Sequence, residues 1–341
     1  MTTLPHILMI HTGGTLMMRH GKDPNTLEPA TYARDLLAEL PALRSIASID
    51  TRILLNIDSG DMLPSHWVEI ASSVHKSLDD YDGIVVITGT DTMAFAASAL
   101  AFLLPGLDKP VVLTGAQRPL FEYRTDARSN LIDAFQIATL PIPEVGIAFG
   151  HKFLRGCRSK KMDAWALDAF DSPLCRPLVE FGLGVMIAPH VLRPRASGGF
   201  DPRIDPSVLC LRVFPGFDAA VIEHALDAGV RGIVLEAFGT GNVPAANGSL
   251  IQSIQRATQQ DVPVVVVSQC PIGGIELGRY VGSAQIKEAG AISGGDMTVE
   301  AAITKLMILL GRSVEGRRRG YVEYWFKRAL LGEMSEMVAH A

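Results

Sequence analysis

Four short polar clusters punctuate the first third of the chain: His11-Thr12-Gly13-Gly14-Thr15, Asp58-Ser59-Gly60-Asp61, Thr88-Gly89-Thr90-Asp91-Thr92 and Thr114-Gly115-Ala116-Gln117. Each begins where a short aliphatic, β-branched run ends. Taken singly, such a cluster is an ordinary strand-to-helix turn, because Gly, Ser, Thr and Asp are the usual turn and cap residues. Four of them at successive strand ends converge, since in open parallel sheets the ligand crevice lies outside the carboxyl ends of the strands. A threonine hydroxyl is a weak nucleophile at neutral pH. It needs a nearby proton acceptor, and acyl transfer further needs donors at the developing oxyanion. Glycines beside Thr15 and Thr90 expose backbone N–H groups and let a substrate approach the chain closely, and Asp91 can hold a substrate ammonium by a charge-assisted hydrogen bond.

Other chemistries lose their usual residues. Neither GxGxxG nor GxxxxGK[ST] occurs at the first strand–helix junction, which argues against a nucleotide site. The nine histidines show no HExxH spacing and no cysteine pair offers a clamp, so no metal is expected. GxSxG is absent, which leaves threonine as the best nucleophile candidate. Lys161, beside Lys160 and Arg158, reads from spacing alone as part of a solvated face.

The elements that must position these residues follow from periodicity. Strands are expected at 7–10, 53–57, 84–87, 111–113 and 145–149, with helices after Pro64, Met93 and Asp126. The alternation implies parallel strands joined by helical crossovers, an α/β fold. It stops near Leu192, and the Pro- and Gly-rich stretch 193–206 reads as a linker. Strands at 209–214, 233–235 and 264–267 then alternate with helices near 219–228 and 250–258. Two domains are therefore expected, a larger one at 1–192 and a smaller one at 207–341, each a mainly parallel sheet flanked by helices.

Composition agrees with two cores. The chain has 341 residues, too many for one ordinary core, and 48% are hydrophobic while only 6% are aromatic, so those cores are aliphatic. A formal charge of −5 gives no reason to expect nucleic acid. The basic run 311–319 lies between two helical patterns and reads as a solvated connection. Cys157, Cys175, Cys210 and Cys270 lack CxxC spacing, and the expectation is reduced thiols in the cytoplasm, with Cys270 alone placed near chemistry. There is no signal-like start and no apolar run of the ~18 residues needed to cross a bilayer, so neither export nor a membrane span is expected.

Thr12-Gly13-Gly14-Thr15 and Gly89-Thr90-Asp91-Thr92 resemble the two signature motifs of the bacterial-type L-asparaginases. The match continues through Asp58-Ser59-Gly60-Asp61-Met62, Arg155-Gly156-Cys157-Arg158-Ser159-Lys160-Lys161 and Gly241-Asn242-Val243-Pro244. Gly294-Gly295-Asp296-Met297-Thr298-Val299-Glu300-Ala301 is similar to the cytoplasmic, type I branch, so the resemblance covers nearly the whole chain. It implies hydrolysis of the side-chain amide of L-asparagine, less efficiently of glutamine, through a threonine acyl-enzyme and without a cofactor. Thr15 takes the nucleophile's position, and Thr90, Asp91 and Lys161 form the cluster that activates the nucleophile or a water. Ser59 matches a contact to the substrate's α-carboxylate and Asp91 one to its α-ammonium, with Asp58, Gly60, Gly89 and Thr90 in the same substrate site. Asn242 matches a residue that reaches the site from a neighbouring subunit, which implies a homodimer or homotetramer. A lysine paired to Asp91 stays protonated. Its expected role is then electrostatic, with Thr90 as relay.

The chain also departs from the family. A tyrosine is usual in the loop after the nucleophile, and 16–31 contains none. Thr88 stands where a histidine is usual, and Gly60 where a side chain commonly helps hold substrate. Glu236 replaces an arginine of an allosteric asparagine site of some type I enzymes, so that regulation is not carried over, although Cys270 matches a residue of it. Tyr32 follows Pro29 in a stretch that reads as a helix start, which makes it structural and leaves proton transfer to Thr90 and Lys161 or an ordered water. Three alternatives stand beside asparagine hydrolysis. One is the amidase component of the archaeal tRNA-dependent glutamate amidotransferase, which shares these motifs but usually carries an extra N-terminal domain, whereas few residues precede Thr12 here. A second is a lipid-cleaving activity on the same scaffold. The third is a catalytically idle amino-acid sensor that kept the substrate contacts and lost the proton relay.

Overall fold

Short β-branched runs become strands where both faces can be covered by helices. The chain alternates the two in separate units, Met1–Pro202 and Arg203–Ala341. The computed structural model describes residues 3–20, 27–29, 36–194, 199–246 and 248–335.

Unit 1 opens with β1 (His6–Gly13), the short pair β2 (Met18–His20) and β3 (Leu27–Pro29), α1 (Leu36–Glu39) and β4 (Ser48–Ile57). The regular part follows as α2 (Pro64–His75), β5 (Gly83–Ile87), α3 (Met93–Leu103), β6 (Val111–Thr114), α4 (Ala127–Ala138) and β7 (Val145–Phe149). It closes with β8 (Lys152–Arg155), β9 (Lys160–Lys161), β10 (Phe170–Asp171), β11 (Val179–Phe181) and β12 (Val185–Ile187). Eight of these strands form one sheet in the order β12-β11-β8-β7-β6-β5-β1-β4. From β7 to β4 every neighbouring pair is parallel, whereas β8, β11 and β12 add an antiparallel flank. Periodicity does not reveal that flank, because its strands are three or four residues long and too short for a period to register.

The sheet grows from β1 in both directions, to β4 on one side and to β5 on the other. This reversal opens a crevice at the carboxyl ends of β1 and β5, where crossovers leave on opposite sides. The strands that flank it are held rigidly. All of β5, β6 and β7 is buried, as are ten of the eleven residues of α3. On the opposite face α4 packs Leu131, Ala134 and Phe135 against Ile7, Met9, Val85 and Val112. Truncating a buried side chain such as Phe135 in this layer costs about 3–5 kcal/mol.

Unit 2 contains β13 (Val208–Arg212), α5 (Ala220–Asp227), β14 (Gly232–Ala237), α6 (Ser249–Gln259), β15 (Val264–Ser268), α7 (Val281–Glu288), β16 (Ile292–Ser293), α8 (Val299–Arg312) and α9 (Arg318–Phe326). Its four strands are parallel and lie in chain order, β13-β14-β15-β16. The molecule is thus α/β in both units, with the mainly parallel sheets expected from the alternation.

One local expectation is corrected. Pro29 does not start a helix: it ends β3, opposite Met18, and helix begins only at Leu36 among the described residues. Proline is tolerated at such a position because a strand end in a two-stranded ribbon does not require its N–H. Tyr32 itself lies outside the described residues. The run 311–319 holds the connection between two helices that spacing suggests, with 314–317 exposed and its two ends taken up by the helices. Gly311 and Arg312 finish α8, and the backbone N–H groups of Arg318 and Arg319 donate to the Asp261 carboxylate at 2.8 and 3.0 Å, which caps α9. None of the four cysteines forms a disulfide. No helix among the described residues is long and apolar enough to cross a membrane.

Candidate active site

All four polar clusters meet through glycine, the fourth by Gly115, whose added Cβ would lie 2.4 Å from the Thr88 oxygen. An added Cβ on Gly14 would lie 2.4 Å from the Gly89 nitrogen, and one on Gly89 would lie 2.4 Å from the Ser59 Cβ. The turns after β1, β5 and β4 are therefore in backbone contact, which only residues without a Cβ allow. Gly13 and Gly14 also take φ of 113° and 94°, the region that favours glycine. Side chains lace the same turns together. Thr12 Oγ1 donates to the Ile87 carbonyl at 2.9 Å, and Thr92 Oγ1 to the Ser59 carbonyl at 2.9 Å. Thr15, half-buried, begins the 3-10 turn Thr15–Met17 directly after the glycines.

A second cluster stands on the β5 side. Lys161 Nζ donates to Thr90 Oγ1 at 2.9 Å and to Asp91 Oδ1 at 2.7 Å, and Ser59 Oγ lies 3.5 Å from Asp91 Oδ2. The Lys161 side chain is 19% exposed, so it does not belong to the solvated face that spacing suggests. Its position comes from the β9–β10 pairing, which sets Lys161 opposite the buried Phe170, itself packed on Phe149 at 4.9 Å between ring centroids. Asp91 by contrast is 70% exposed and open to a ligand from solvent. Among the described residues, Thr90, Asp91 and Lys161 bond to one another and not to Thr15, so this cluster is assembled without it.

Gln117 ends the fourth cluster, where spacing suggests no task for it, and in the fold it completes the second. Thr90 Oγ1 donates to Gln117 Oε1 at 3.1 Å, and Gln117 Nε2 donates to the Ala166 carbonyl at 3.2 Å, which fixes the way round of the amide. The buried Asp126 carboxylate accepts the backbone N–H groups of Gln117 and Arg118 and the side chain of Asn130, all between 2.9 and 3.1 Å. The sequence marks Asp126 only as a helix start. Its spacing from Gln117 carries no recognisable period, because the contact depends on how the intervening loop folds back.

The remaining residues divide. Asp58 caps the turn Ser59–Asp61 by accepting the Gly60 N–H at 2.8 Å, and Gly60 is exposed with open space on its Cβ side apart from Asp58 Oδ1 at 3.3 Å. Thr88 is buried and its hydroxyl has no hydrogen-bond partner among the described residues. Asn242 belongs to unit 2, on the turn after β14, where its backbone pairs with Phe238. Cys270 is exposed after β15 in the same unit. No group of three or more His, Cys, Asp or Glu suited to a metal occurs among the described residues.

As a whole the arrangement offers a hydroxyl on a glycine-bound turn and, on a turn in contact with that one, a second hydroxyl that accepts from an ammonium. It also offers a carboxylate that faces solvent. Comparison with known proteins finds the same pairing of units. Residues 6–191 match the family model "Asparaginase, N-terminal" and residues 207–319 the "Glutaminase/Asparaginase C-terminal domain". L-asparaginase 1 of Escherichia coli K12 is 36% identical over 91% of this chain and 93% of its own length. One component of the glutamyl-tRNA(Gln) amidotransferase of Pyrococcus horikoshii is also 36% identical, over 91% of this chain and 73% of its own. The solved thermostable L-asparaginase of Thermococcus kodakarensis superposes with a TM-score of 0.88 at 35% identity, covering 97% of this chain and 99% of that one.

Proposed function

Because the chain belongs to the asparaginase family, we propose that it hydrolyses the side-chain amide of L-asparagine to aspartate and ammonia through an acyl-enzyme on Thr15. The observation that carries the reading is the contact of Lys161 Nζ with both Thr90 Oγ1 and Asp91 Oδ1 at the mouth of the β1/β5 crevice. Asp91, exposed on its outer side, receives the α-ammonium, and Ser59 beside it the α-carboxylate. The amide carbon then faces the turn that carries Thr15. Attack forms the Thr15 ester and expels ammonia, and water hydrolyses the ester. Lys161, ion-paired to Asp91, works as a fixed positive charge that lowers the energy of negative oxygen nearby, and Thr90 passes the proton. The chain uses no cofactor and acts in the cytoplasm. Ammonia release from asparagine tests the reading: wild type releases it and Thr15→Ala does so at least ~100-fold more slowly. Wild-type turnover in a folded Thr15→Ala protein would sink the mechanism.

The second part of the proposal is that unit 2 completes the site of a neighbouring copy through Asn242, in a homodimer or homotetramer. A mixture of Thr15→Ala and Asn242→Ala chains, refolded together, then regains activity, because one site in each hybrid carries neither lesion. No recovery in verified heterodimers would assign Asn242 to its own chain. The amidotransferase reading is favoured by several relatives, each matched over only part of its own length, and it predicts amide cleavage that depends on a second, different protein.

A further inference from the structure

Where the nucleophile's turn leaves β1 there is a buried titratable group that the chemistry above does not use. His11 is 2% exposed, and its Nδ1 accepts the Gly13 N–H at 3.2 Å. With that lone pair engaged, the ring proton sits on Nε2. Nε2 makes no well-formed hydrogen bond among the described residues, although the Leu55 backbone lies close enough to the ring to pull on its proton. Burial holds the imidazole pKa below its ordinary value, against a weaker opposing pull from the Leu55 backbone. The ring is therefore neutral, as the Gly13 bond requires.

A buried donor without a well-formed bond is destabilising, and a leucine of similar size would remove that cost. What histidine supplies and leucine cannot is the Nδ1 acceptor, two residues ahead of two glycines that have no slack. The ladder is irregular at this point: β1 is registered with β5 only as far as His11, and its register with β4 slips between His11 and Gly13. An added Cβ on Gly13 would lie 2.1 Å from the Ile57 oxygen, and Gly14 is pressed on Gly89 in the same way. Rotation of the Gly13 peptide would thus move the chain against both walls and carry Thr15 with it.

We infer that His11 is a positioning residue for the reaction: its Nδ1 fixes the Gly13 peptide, and through it the place of the Thr15 hydroxyl relative to the Thr90–Lys161 pair. The inference rests on Thr15 being the nucleophile, as proposed above. It acts on rate rather than on binding, because Ser59 and Asp91, which hold the substrate, lie on other turns. Misplacement of a reacting group by about 1 Å is enough to cost up to ~10²-fold in rate.

Asparagine and glutamine distinguish the two ring positions. The Oδ1 of an asparagine can stand where Nδ1 stands, whereas the Oε1 of a glutamine reaches only the place of Nε2. The test is kcat and KM for asparagine in His11→Leu, His11→Gln and His11→Asn, each checked by circular dichroism and thermal unfolding, with Thr15→Ala alongside. His11→Leu and His11→Gln are expected to lower kcat at least ~10-fold with KM within about threefold, and His11→Asn to restore kcat to within about threefold of wild type. A folded His11→Leu with wild-type kcat, or a His11→Asn no better than His11→Gln, overturns the inference. Should His11→Leu fail to fold, the contrast between asparagine and glutamine decides alone. Activity in Thr15→Ala would overturn the nucleophile reading and this one together. An inactive Thr15→Ala beside an unaffected His11→Leu would remove only the role of His11.

Discussion

The two units carry the same kind of sheet and use the polar residues at its carboxyl edge in different ways. In unit 1 some edge side chains, Thr12 and Thr92 among them, donate to main-chain carbonyls, but a further group bonds side chain to side chain and carries charge: Lys161 to Thr90 and Asp91, Thr90 to Gln117. Unit 2 turns them back on the main chain. Ser268 Oγ donates to the Gly239 carbonyl at 2.6 Å, Gln269 Nε2 to the carbonyls of Val213 and Glu236 at 2.6 and 2.9 Å, and Ser293 Oγ to that of Ile275 at 3.3 Å. Topology accounts for the difference. The unit 1 sheet reverses direction between β1 and β5, so crossovers part and leave a crevice, whereas the unit 2 strands run in chain order and never reverse. Where no crevice opens, loops close over the strand ends and buried carbonyls must find donors. The lesson is that residue type at a strand end does not identify a site until the strand order is known.

That contrast can be broken most severely at Thr90 and Lys161. Thr90→Ala and Lys161→Met should each lower asparagine turnover by at least ~100-fold while thermal unfolding stays close to wild type. Loss of activity with loss of fold would mean that unit 1, too, uses its edge for stability. A smaller effect is expected one bond away, at Gln117. Gln117→Met keeps the length and removes the acceptor for Thr90, and should lower kcat about tenfold with KM little changed. A rise in KM instead would reassign Gln117 to substrate binding.

Unit 2 should respond in stability rather than in rate. Gln269→Leu takes the donor from the Val213 carbonyl, while the Glu236 carbonyl keeps the Val213 N–H, and is expected to destabilise the protein by about 1–3 kcal/mol in urea unfolding, with kcat per folded site unchanged. A kcat effect larger than the stability effect would show chemistry at that edge as well. The smallest expectation concerns pH. His11 has a folded pKa below its ordinary 6.5, so below pH 6.5 the unfolded chain takes up a proton that the folded one refuses. Stability from this group is fully present above pH 6.5 and is lost as pH falls toward the folded pKa. Calorimetry between pH 7 and pH 5 should show a steeper fall in Tm for wild type than for His11→Asn. Asp133, raised by burial against the pull of His151, has the opposite sign and is common to both proteins. Equal slopes would mean that the buried imidazole does not exclude the proton.

How much of this was legible in the sequence depends on whether the contact is local. Strands β5, β6 and β7 are continuous aliphatic runs because both faces are buried, and any reading of periodicity finds them. The glycine turns after β1 and β5 are also visible, since their backbone demands a residue type. Lys161 is different. Its place follows from cross-strand pairing with Phe170, which leaves no mark beside the lysine, and only the family resemblance drew it into the site. Gln117 and Asp126 show the same limit, as the bonds between them close a loop whose path is not encoded by spacing. Pro29 misled because a favoured helix-start residue is equally at home at a strand end.

The contact of Gly14 with Gly89 and of Gly89 with Ser59 also bears on how this site could be re-engineered. Random variation at those glycines cannot be rescued by a compensating change nearby, since the obstacle is main chain or the first carbon of a side chain. Directed evolution of substrate preference therefore has a narrow door. Gly60 is the position that stays open: it is exposed, its φ lies outside the region that favours glycine, and an added Cβ would meet nothing closer than Asp58 Oδ1 at 3.3 Å. A library that holds Gly13, Gly14 and Gly89 fixed and randomises Gly60 would explore new side chains at the rim of the crevice without disturbing the turn that carries Thr15.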